Sequence, residues 1–103
     1  MSILANGDNA YNVSATGATV NANASSFSVT IPNDSQGRRA RLVRLQVTGV
    51  LYVKFGVAGV TATNQDMLLS PNFDVLINCM QHTTIACIQE GSPAKLNITP
   101  LET

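Results

Sequence analysis

Apolar and polar residues alternate with a period of two through much of this 103-residue chain, and that rhythm restricts the fold more than any other feature. Ser26-Phe27-Ser28-Val29-Thr30-Ile31 and Val50-Leu51-Tyr52-Val53-Lys54-Phe55 are the cleanest stretches. Successive side chains of a strand point to opposite faces, so such segments bury one face and leave the other outside. The outward positions hold Ser, Thr, Asn and Gln far more often than charge. Only 12% of residues are Asp, Glu, Lys or Arg, about half the share usual in a soluble domain. Faces of this kind suit contact with another protein, because little charge has to be desolvated.

Further segments extend the pattern. Phe73, Val75 and Ile77 alternate with Asp74, Leu76 and Asn78, and Thr83, Ile85 and Cys87 alternate with Thr84, Ala86 and Ile88. Lys95-Leu96-Asn97-Ile98-Thr99 forms the last run, and Pro100, which cannot donate to a ladder, is expected to stop it. The stretch Arg39 to Val47 fits either period. As a helix it puts Arg38, Arg41, Arg44 and Leu45 on one side; as a strand it puts Arg41, Val43, Leu45 and Val47 on one face. Gly37 and Gly49 bound it closely and two valines lie within, which favours a strand. Pro32-Asn33-Asp34-Ser35-Gln36-Gly37 and Glu90-Gly91-Ser92-Pro93 are turn clusters.

The expected fold is all-β: a single small β-sandwich or jelly roll of about 7–8 short antiparallel strands with a flexible polar N-terminal arm. The arm covers residues 1–24 and the sandwich 25–103. Residues 1–25 carry one charge, Asp8, and few large apolar side chains, although Ala18-Thr19-Val20 could add an edge strand. On this reading, deleting residues 1–22 leaves the β fold intact.

Composition also limits function. Six acids balance six bases, which argues against a dedicated nucleic-acid binder. No segment approaches the length of an apolar membrane span, and the start lacks the features of a secretory signal. A soluble product made in the cytoplasm is expected.

No catalytic constellation emerges, so no enzyme, cofactor or metal is expected. His82, the one histidine, lies at a turn without partner spacing and reads as a solvated or locally bonded loop residue. Cys79 and Cys87, if placed on a hairpin turning near Gln81, are offset by roughly 13 Å along a strand, beyond the about 7 Å that bridged Cα atoms allow. Reduced, buried thiols follow. Asp66 is read as bonding loop backbone.

Four of the six bases, Arg38, Arg39, Arg41 and Arg44, fall within seven positions. Three readings stay open. They form a solvated edge that resists edge-to-edge pairing, they dock onto acidic groups of a partner protein through bidentate guanidinium forks, or they contact nucleic acid. The last lacks interleaved aromatics.

Two blocks carry a resemblance. Leu51-Tyr52-Val53-Lys54-Phe55-Gly56 running on to Val60-Thr61-Ala62-Thr63-Asn64-Gln65-Asp66-Met67, and Ile85-Ala86-Cys87-Ile88-Gln89 with Leu96-Asn97-Ile98-Thr99, resemble small virion proteins of tailed bacteriophages. Some of these are head decoration, or cement, proteins. The resemblance implies a structural virion protein on the capsid surface, a homo-oligomer and specifically a trimer, whose partner is the phage major capsid protein. It implies no nucleic acid and no membrane partner. Contact elements are then the arm, with Ser2, Ile3, Leu4 and Tyr11, and the arginines Arg38, Arg39, Arg41 and Arg44. A tail, fibre or head-fibre component is the alternative within the virion, and a glycan-binding sandwich is a further one, with few exposed aromatics to serve it.

Overall fold

The structure, a computed structural model, describes residues 12–72 and 74–102. They form two antiparallel sheets packed as a β-sandwich and contain no helix. The strands are β1 (Asn12–Val13), β2 (Ala18–Ala22), β3 (Phe27–Thr30), β4 (Leu42–Val47), β5 (Leu51–Gly56), β6 (Met67–Leu69), β7 (Val75–Asn78), β8 (Thr84–Gln89) and β9 (Ala94–Glu102). One sheet runs β1-β9-β4-β7, with β2 beside β1 on the same edge of β9. The other runs β3-β8-β5-β6.

Alternation places the core as expected. Val43, Leu45, Leu96 and Ile98 point inward from the first sheet, and Leu51, Val53, Ile85 and Cys87 from the second; all are essentially sealed from solvent. Lys54, between two inward residues, is exposed. The ambiguous stretch is a strand from Leu42 onward. Val43, Leu45 and Val47 pair with Pro100, Ile98 and Leu96 of β9, so the inward rows of both strands coincide.

Two expectations are corrected. First, β7 and β8 form no hairpin. β7 pairs with β4 and β8 with β3 and β5, so the chain crosses between sheets at residues 79–83. A tight turn, His82 N–H donating to the Cys79 carbonyl at 2.9 Å, makes the crossing. Cys79, at the start of the crossing, and Cys87, in β8, are buried free thiols, and burial raises both pKa values.

Second, Pro100 does not end β9, which continues to Glu102. The Pro100 carbonyl accepts from Ser14 N–H at 3.0 Å on the β1 side. A strand residue's N and O face the same neighbour, so the missing donor also faces that side. There β2 has ended its pairing at Ile98 and β1 has not begun its own at Leu101. The proline therefore sits in a gap and leaves no carbonyl of β4 unpaired.

Within the segment read as an arm, the edge strand expected at Ala18-Thr19-Val20 is present as β2. β2 pairs with β9 over five residues, Ala18↔Ile98 to Ala22↔Ala94. Val20 and Ala22 are buried in the core. Ser2, Ile3, Leu4 and Tyr11 lie outside the described residues. The Val60–Thr63 segment is a loop, held where Ala62 N–H donates to Ser26 Oγ at 2.9 Å.

A groove walled by arginines

The end of the first sheet where β4 starts and β9 finishes carries a groove of about 490 Å³. Its floor follows from register. Leu42 lies opposite Leu101 on the outward faces of β4 and β9. Met80, half exposed, stands at the side. Arg38, Arg39 and Arg41 rim the groove, with Asp34 and Glu102.

Local sequence explains each wall. Asp34 organises the turn before β4: its Oδ1 accepts from Gln36 N–H at 3.0 Å and from Arg38 N–H at 2.9 Å. A short polar side chain that bonds backbone two residues on is the usual nucleus of such a turn. Gly37 adopts φ 80°, a left-handed conformation that costs other residues a Cβ clash. The Arg38 guanidinium then reaches Asp34 Oδ2 at 3.4 Å.

The opposite wall is stitched to the crossing turn. Arg39 Nη2 donates to the carbonyls of Met80, at 2.8 Å, and His82, at 3.1 Å. Cys79 N–H donates to the Arg41 carbonyl at 2.9 Å, and Cys79 Sγ to that of Ala40 at 3.4 Å. The His82 ring meets Phe55 with centroids 5.8 Å apart, consistent with a locally bonded histidine.

Glu102 closes the groove from β9. Its carboxylate accepts from the Ser14 hydroxyl and from Ser35 N–H, the latter at 3.0 Å. These donors hold its pKa below the ordinary carboxylate value. Arg44, in contrast, points away into its own cluster on the outer face of the sheet. It pairs with Asp74 at 2.6 Å, and Gln46 Nε2 donates to the same carboxylate at 2.9 Å. That pair lowers the Asp74 pKa, chiefly through Arg44.

The four-arginine cluster therefore divides. Arg38 and Arg39 are occupied in building the groove, Arg44 is paired elsewhere, and Arg41 is exposed with no side-chain bond among the described residues. Sequence spacing located the charge but not this division, because the partners of Arg39 are backbone carbonyls about 40 residues away.

The two perturbed carboxylates set an acid dependence. A carboxyl group whose folded pKa is depressed stabilises the fold above its unfolded pKa, and loses that contribution as pH falls through the folded value. Stability to urea is expected to decline once pH drops below about 4. The double variant Glu102→Gln, Asp74→Asn should show a flatter decline in the same titration; equal slopes would contradict the assignment.

Among the described residues no cluster of three or more His, Cys, Asp or Glu side chains could hold a metal ion. Among the described residues no helix is long and apolar enough to cross a membrane. No family model, curated protein or solved structure matches the chain.

Proposed function

We propose that the protein is a structural component of a bacteriophage virion, a decoration protein that binds the head surface as a trimer and clamps neighbouring capsid subunits. The observation that carries this reading is the outer face of the second sheet. Its accessible outward strand positions include Ser28, Thr30, Tyr52, Leu68 and Ile88, and among the described strand residues of that face Lys54 alone is charged.

Leu68, Tyr52 and Ile88 lie side by side across β6, β5 and β8 and form an apolar row. Leu68 is half exposed. Covering such a face desolvates almost no charge, so association there is cheap in electrostatic terms. Many modest contacts repeated by symmetry then accumulate into a durable shell.

The test is antibody labelling of gradient-purified phage particles from the source that encodes the chain. Gold label distributed over the heads is expected. Label confined to tails or fibres, or particles free of the protein, would overturn the assignment.

A further inference from the structure

We infer that the arginine-walled groove is a docking site for an extended segment of a partner protein that carries an acidic and an aliphatic side chain two residues apart. This rests on the reading of the chain as an assembly module and names the chemistry of the partner at one site.

The argument begins with which charges are already satisfied. The groove sets three arginines against two carboxylates. Asp34 receives two backbone N–H groups and Arg38. Glu102 receives the Ser14 hydroxyl and Ser35 N–H. Neither acid needs Arg41. Arg39 is consumed by the Met80 and His82 carbonyls. Arg41 remains, an exposed guanidinium whose backbone is pinned through its carbonyl to Cys79. The backbone there is fixed, and the uncommitted fork can take a carboxylate through paired N–H groups, at the cost of ordering its side chain.

The floor determines what accompanies that carboxylate. Leu42, Leu101 and Met80 are incompletely buried and lie beside the charge. An aliphatic side chain next to the acid would cover them. In an extended peptide, residues two apart share a face, so an acid at one position and an aliphatic residue two further along can meet Arg41 and the floor together. Nucleic acid fits poorly. It needs a track of cations for successive phosphates and aromatic platforms for bases. The groove offers one uncommitted arginine and no aromatic lining.

The experiment is fluorescence anisotropy with a labelled, C-terminally amidated peptide Ser-Glu-Thr-Leu-Ser. Its Lys-substituted counterpart and a single-stranded oligonucleotide serve as comparison probes. The acidic peptide should bind, and Arg41→Gln should weaken it by about tenfold, the scale of one charge-assisted bond. Met80→Ser should weaken it by a smaller factor, while Lys54→Gln, on the other sheet, should leave it unchanged. Circular dichroism confirms that each variant is folded. No binding up to about 1 mM peptide, equal binding by wild type and Arg41→Gln, or tighter binding of the oligonucleotide through Arg41 would each overturn the inference. If particles carry the protein but the peptide fails to bind, the groove assignment falls alone. If the peptide binds but particles lack the protein, the virion reading falls alone.

Discussion

Val53→Asp is expected to abolish folding, while Lys54→Glu, one residue along the same strand, leaves the protein native. Val53 lies inside β5, flanked in register by Cys87 of β8 and Met67 of β6, with 1% of its surface exposed. Asp at that position would be surrounded by Leu51, Cys87 and Ile85 on the inward face, with no donor to receive. An isolated carboxylate there must either remain charged in an apolar medium or take up a proton against its normal pKa. Protonating an ordinary carboxyl at pH 7 costs about 4 kcal/mol, burying it without a partner about 1–3 kcal/mol and losing the valine about 1.5–3 kcal/mol, so the total is roughly 7–10 kcal/mol. A domain of this size has a total stability of roughly 5–15 kcal/mol, so most of the native population is lost.

Lys54 lies opposite Ala86 on the outward face and is exposed, so reversing its charge should change stability by no more than about 0.5 kcal/mol. Val53→Ala separates volume from charge: it should lower the urea midpoint yet keep a cooperative transition. Far-UV circular dichroism and urea unfolding of the three variants decide the matter. Equal behaviour of Val53→Asp and Lys54→Glu would mean that the two faces of β5 have been exchanged.

That prediction was accessible from sequence because β5 is governed by a local rule. Leu51, Val53 and Phe55 alternate with Tyr52 and Lys54, and any sheet that buries one set exposes the other. β4 was legible for the same reason, once two bounding glycines excluded a long helix. Asp66 was too: it accepts from Thr63 N–H at 2.7 Å within its own loop.

The features that escaped are those decided at a distance. Whether residues 79–83 make a hairpin or a crossing depends on which strands β7 and β8 find, and both options satisfy the same alternation. Pro100 reads as a stop signal unless it is known that its edge of β9 falls between two partners. The groove joins a turn at 34–38, the end of β9 and a crossing at 79–83. Its organising bonds run from guanidinium and carboxylate to backbone groups, which have no residue-type signature.

Deleting residues 1–22 should unfold or aggregate the protein, the reverse of what composition alone suggests. The segment looks dispensable because it is small and polar, with Val20 and Ala22 its buried aliphatic side chains among the described residues. Its position outweighs its composition. β2 supplies the partner for β9 along Ala94 to Ile98, and β9 is the central strand of its sheet. Removing it uncovers Leu96 and Ile98, both at 0% exposure, and strips the outer ladder from β9. The Ser14 hydroxyl that Glu102 accepts from is lost as well.

Lost cover over two large aliphatics and the removal of Val20 together cost about 5 kcal/mol, at roughly 1.5–3 kcal/mol for each side chain returned to water. The remaining chain would also present β9 as a long, apolar, unpaired edge, which templates association. Two point variants separate this from any role of residues 1–11. Val20→Asp keeps the chain length but should unfold the protein as the truncation does. Thr19→Lys, on the exposed face of β2, should remain native, losing only the bond from Asn97 Nδ2 at 3.2 Å. A truncated protein that unfolds cooperatively within about 1 kcal/mol of the full chain would show that the second sheet and β4, β7 and β9 suffice, and that β2 is an accessory strand.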